Sequence, residues 1–72
     1  MARVKFDSVF KVNTADGTIE PRQTTRIGGV TINPGIIISK GVGIGGIDLA
    51  QYIDHDLEIT TDGGAIVVTG IY

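Results

Sequence analysis

Apolar and polar residues alternate along most of this chain, and the period is that of strands rather than helices. From Arg3 to Thr14, Val4, Phe6, Ser8, Phe10 and Val12 point one way, while Arg3, Lys5, Asp7, Val9, Lys11 and Asn13 point the other. Side chains alternate across a strand, so the pattern predicts one half-buried strand with one wet face. Ala15-Asp16-Gly17-Thr18 then predicts a turn, because Asp-Gly tolerates the positive φ of tight hairpins. Thr18-Ile19-Glu20 returns, and Pro21 stops it by removing a backbone donor. Gln23 to Ile27 is expected to be extended up to Gly28-Gly29, and Val30 to Asn33 to form a further short strand. Asn33-Pro34-Gly35 has the chemistry of a turn, with Pro presetting φ and Gly accepting φ > 0.

Between Val30 and Ile47 the two faces of the pattern differ sharply. One carries Val30, Ile32, Pro34, Ile36, Ile38, Val42 and Ile44; the other is largely Gly35, Gly41, Gly43 and Gly45, with Ile37 among them. An apolar ridge backed by bare backbone suits a place where another chain segment comes close. Ile36, Ile38, Val42 and Ile44 are therefore the expected oligomer contacts, with the glycine face at a subunit boundary. Ile36 to Ser39 is expected to be strand, and residues 41–45 either a weakened strand or a loop.

The one helical signal spans Asp48 to Asp54. Asp48 is placed to cap the first turn, Gln51 falls at the reciprocal capping position, and Leu49, Tyr52 and Ile53 share a face. Leu57–Thr60 and Ala65–Tyr72 flank Thr61-Asp62-Gly63-Gly64, which predicts a hairpin. Its second strand is apolar on both faces and calls for cover on both. Gly-Gly pairs recur at 28–29, 45–46 and 63–64, a spacing that reads either as three similar corners or as coincidence in a chain with eleven glycines.

Together these elements predict a mostly β protein: a small open barrel or sandwich of five to six short antiparallel strands with one short helix, about 48–54. Seventy-two residues make a single domain, 1–72, of a size at which one core rarely suffices without a staple. There is no cysteine and one histidine, so disulfides, thiolate metal sites and most histidine metal sites are out of reach. Oligomerisation is the staple that remains, which makes a second copy of the chain its first expected partner.

Charge narrows the partners further. The net charge of −2 argues against nucleic acid. All six basic residues lie in positions 1–40, which with Asp7, Asp16 and Glu20 total +3, whereas positions 41–72 carry five acidic residues and total −5. The halves read either as two solvated faces or as complementary surfaces meeting within or between subunits. MARVKFDSVF lacks the apolar run of a signal peptide, and no stretch approaches the ~20 apolar residues of a membrane helix. The expectation is a cytoplasmic protein without a membrane partner.

Candidate chemistry is sparse. In a strand Asp54 and Asp56 face away from His55, so the three do not converge on one ion or proton. Asp54, Asp56 and Glu58 align, but a calcium loop needs more oxygen ligands in a compact turn. Gly41, Gly43 and Gly46 match G-x-G-x-x-G, yet no βαβ unit follows and Asp48 puts negative charge where a pyrophosphate would sit. No metal, cofactor or catalytic residue is expected, and the chain does not read as an enzyme.

The best ligand candidate is Arg22-Gln23-Thr24-Thr25-Arg26-Ile27-Gly28-Gly29. On an extended segment Arg22, Thr24 and Arg26 share a face, and two guanidinium forks, a hydroxyl and the amides of Gly28 and Gly29 suit phosphate or carboxylate. The plainer reading is an edge strand guarded by long charged side chains. Two functions follow. One is a non-enzymatic homo-oligomer that captures a small anionic, nucleotide-like molecule, as a phage-type sequestering protein does. The other is a structural or protein–protein interaction module that self-assembles through its sheet edges.

Overall fold

A computed structural model describes residues 2–72. The strands are β1 (Ala2–Lys5), β2 (Phe10–Asn13), β3 (Thr18–Pro21), β4 (Thr25–Ile27), β5 (Val30–Ile32), β6 (Gly43–Ile44), β7 (Ile47–Asp48), β8 (Asp56–Asp62) and β9 (Ala65–Ile71). A single helical turn, α1 (Phe6–Val9), and a 3-10 turn, Leu49–Tyr52, complete the elements. Five strands form one sheet in the order β1-β8-β9-β4-β5, and β2–β3 and β6–β7 are separate two-stranded ribbons. The molecule is a mostly β, open structure, not a closed barrel.

One expectation about the sheet is corrected. β4 runs parallel to β9, with Thr25 opposite Ile66 and Ile27 opposite Val68, so the sheet is mixed rather than antiparallel. The long connection from β5 to β8 returns the chain to the far side of β4, which lets the β8–β9 hairpin insert between β1 and β4. β9 thereby gains a neighbour on each edge, and Ile66 and Val68 enter the core.

The first predicted strand is also broken, at Phe6. Phe6, Val9 and Phe10 stand at i, i+3 and i+4, and all three are buried. A continuous strand would turn Val9 away from the two phenylalanines. One helical turn points all three inward, with the phenyl rings 4.8 Å apart. The same turn leads β2 off the main sheet and into its ribbon with β3. The predicted helix near 48–54 is present as the 3-10 turn, and the Asp48 side chain accepts from the Ala50 N–H at 3.2 Å.

The β2–β3 ribbon closes on the other side of the core. Its Ile19 exchanges two backbone hydrogen bonds with Ile38, at 2.9 and 2.8 Å, and both side chains are buried. Apart from that bridge, residues 36–39 belong to no strand, because the Asn33–Ile36 turn redirects the chain; Ile36 N–H donates to the Asn33 carbonyl at 3.2 Å.

All three Gly-Gly pairs close two-residue hairpins. Their φ values are 57° and 81° at Gly28-Gly29, 59° and 81° at Gly45-Gly46, and 60° and 84° at Gly63-Gly64. Positive φ at both central residues is what a type I′ turn needs. The pairs flanking them are Ile27–Val30, Ile44–Ile47 and Asp62–Ala65.

Candidate functional site

The Arg22–Gly29 segment is not extended throughout. It bends at Arg22-Gln23 before β4 begins, and within β4 Thr25 and Ile27 are buried while Arg26 is exposed. The three candidate side chains therefore reach three different parts of the molecule. Arg22 Nε donates to the Asp7 carbonyl on α1 at 2.7 Å. The Thr24 hydroxyl donates to Asn33 Oδ1 at 3.1 Å, and Arg26 Nη2 meets Asp62 Oδ2 at 3.1 Å. Thr25, buried among them, satisfies its hydroxyl on the Gln23 carbonyl at 2.9 Å.

Gly28 and Gly29 form the β4–β5 turn, and Gly28 has a backbone neighbour of its own. A Cβ on Gly28 would lie 2.8 Å from the Gly45 Cα, and one on Gly45 would lie 2.8 Å from the Gly28 Cα. Of the glycine face of the 30–47 segment only Gly45 meets backbone, and that backbone belongs to the same chain; a Cβ on Gly35, Gly41 or Gly43 would meet nothing within 4 Å. Two hairpin tips touch where neither has room for a side chain.

The four ridge residues separate. Ile36 and Val42 are exposed and Ile44 is half-buried. Ile38 is buried in the monomer core against Ile19, which corrects its assignment as an outward contact. Ile37, which strict alternation put on the glycine side, is 56 % exposed, the most of any large apolar residue described. It borders a groove of about 390 Å³ lined also by Lys11, Asn13, Thr18 and Glu20. The alternation misleads here because residues 36–39 are not a strand.

The oppositely charged halves meet within the chain, through Arg3–Asp56 at 2.9 Å and Arg26–Asp62. Both pairs are solvent-exposed, a class worth about 0–1 kcal/mol each. At the Arg3 end a polar cluster forms that alternation gave no sign of. The Arg3 guanidinium lies 4.1 Å from the Tyr72 ring centre, and the Tyr72 hydroxyl donates to Glu58 Oε1 at 3.0 Å. That hydrogen bond is the main reason the Tyr72 phenol is raised above its usual value, followed by desolvation and Glu58's charge, with Arg3 opposing.

His55 has its Nδ1 on the Tyr72 carbonyl and its ring edge-on to Tyr52, while Asp56 is taken by Arg3. Among the described residues no three His, Cys, Asp or Glu side chains are grouped to hold a metal ion. What the surface does present is outward aliphatic side chains, two sheet edges at β1 and β5, and a cleft lined by Lys5, Asp7, Asp54, His55 and Asp56, where the strand expected to turn His55 away from the two aspartates begins only at Asp56. Comparison with protein families, curated proteins and solved structures finds no match to this chain.

Proposed function

We propose that this protein is a non-enzymatic interaction module that associates with further copies of itself. The observation that supports the reading is the outward placement of Ile36, Ile37 and Val42 on the irregular 33–42 connection, where a small domain gains nothing from exposing them. Burying one such side chain contributes roughly 1.5–3 kcal/mol. Native mass spectrometry and sedimentation equilibrium test it. The wild-type chain is expected at multiples of 7.6 kDa, and Ile36→Ser with Ile37→Ser is expected to weaken assembly by about a hundred-fold or more. A wild-type monomer at high micromolar concentration sinks the reading.

A second reading, capture of a small anionic molecule by Arg22, Thr24, Arg26 and the Gly28-Gly29 amides, draws on one observation. Arg22 and Arg26 are exposed and each spends one N–H on its partner, out of the five a guanidinium carries. Binding would draw Arg26 away from Asp62. A nucleotide mixture is then expected to raise Tm, and Arg26→Ala to abolish the rise. An unchanged Tm in wild type eliminates this reading and leaves the first intact.

A further inference from the structure

The β6–β7 hairpin stands beside β9 with a cleft of about 380 Å³ between them. Ile27, Ile47, Val68 and Ile71 wall it, and Gly28, Thr69 and Gly70 complete the lining. No lining residue is charged. We propose that this cleft is a binding site for a small uncharged apolar molecule.

Four features carry the assignment. First, the volume falls within the roughly 300–1,000 Å³ of ligand pockets, and the walls are the aliphatic kind that such pockets use. Second, the walls are held in place. Ile27 and Val68 are core residues facing each other across the β4–β9 ladder, and Ile47 is fixed by the contact of Gly45 on Gly28. Third, the cleft has one polar handle. Glu58 pairs with Gly70 and Ile59 with Val68, so Thr69 bulges out of the ladder. Its hydroxyl has the Glu58 carbonyl at 3.2 Å and Glu58 Oε2 at 3.5 Å as acceptors, and its own lone pairs can accept from an N–H or O–H.

Fourth, the size decides the kind of occupant. Seven residues line the cleft, whereas a stable protein interface takes roughly 20–30 residues and about 800 Å² on each side. The space is that of a small molecule, not a subunit. The uncharged lining selects against an anion, because a charge placed there loses water and gains no countercharge. This site is separate from Arg22–Gly29 and from the outward Ile36, Ile37 and Val42.

N-phenyl-1-naphthylamine, an uncharged diarylamine with three aromatic rings and one N–H, is the probe. Fluorescence titration of the wild-type chain is expected to saturate, with methyl chemical-shift changes concentrated at Ile27, Ile47, Val68 and Ile71. Ile47→Asn is expected to weaken binding by at least about ten-fold and Ile47→Val by far less; the sulfonated analogue of the probe is expected to bind at least about ten-fold more weakly. The wild-type shift map does not depend on any variant folding. No saturable binding, a shift map centred on Ile36, Ile37 and Val42, or equal affinity for the sulfonate each overturns the proposal. So do cleft shifts that appear on raising protein concentration without probe, since they would mean a second copy occupies the space.

Discussion

The Gly28 and Gly63 turns have nearly the same backbone and opposite surroundings. Both begin a two-residue hairpin loop, with φ of 57° and 60°. A Cβ on Gly63 would meet nothing within 4 Å, whereas one on Gly28 would press into the Gly45 Cα and carbonyl at 2.8 Å. The β8–β9 turn joins two seven-residue strands that hold each other through their ladder. The β6–β7 ribbon has two residues per strand and depends on its tip resting against Gly28. The same dipeptide serves local geometry in one place and the docking of two hairpins in the other.

The largest expected effect tests the locked contact. Gly28→Ala or Gly45→Ala adds a left-handed strain of about 1–2 kcal/mol to an overpacking cost of about 1–3 kcal/mol. Together these predict a loss of roughly 2–5 kcal/mol, which thermal unfolding would read as a Tm lower by more than about 10 °C. At the open turn Gly63→Asn is expected to change stability by less than about 1 kcal/mol, since Asn adopts positive φ readily and has free space there. Gly28→Asn, with the same φ tolerance, escapes most of the strain but keeps the overpacking cost of about 1–3 kcal/mol. If the two Asn variants unfold at the same temperature, the interlock is not what separates the turns.

Arg26 spans the comparison, because it lies one residue before Ile27 of the locked hairpin and pairs with Asp62 beside the open one. Arg26→Ala is expected to cost under about 1 kcal/mol, with the difference shrinking in molar salt. The smallest effects are in pH. Asp16 Oδ1 accepts from the Thr18 hydroxyl at 2.7 Å and the Thr18 N–H at 3.0 Å, which holds its carboxyl below the usual 3.8. Its contribution is present above that value and is lost as pH falls through the lowered one. Tyr72 behaves oppositely. Raised above 10.0 chiefly by its bond to Glu58, its contribution is complete below that pH and is lost as pH rises through the raised value. Glu58→Gln is expected to bring the Tyr72 ultraviolet titration back toward 10.0.

Legibility from sequence varied with how local the cause was. The Gly63-Gly64 hairpin, the turn at Gly17, the Asn33-Pro34-Gly35 turn and the Asp48 cap were all readable, because each depends on residues within a few positions. Phe6–Phe10 was not. Its residues satisfy a strand period and a helical i, i+3, i+4 pattern at once, and burial of Val9 beside two phenylalanines selects the helical turn. Arg22, Thr24 and Arg26 share one face only if the segment stays extended, and the bend at Arg22-Gln23 sends each to a separate partner. Ile38 likewise turned inward through pairing with Ile19, which is distant in sequence.

By itself the amino-acid sequence determined a mostly β fold, the Gly63-Gly64 hairpin and the absence of cysteine chemistry, since turn dihedrals, strand period and composition act over a few residues. Only the tertiary structure decided that β9 lies between β8 and a parallel β4, that Gly28 and Gly45 meet, and that Ile37 faces out while Ile38 faces in. Each of those depends on segments far apart in the chain competing for the same core, and no local pattern records which segment wins.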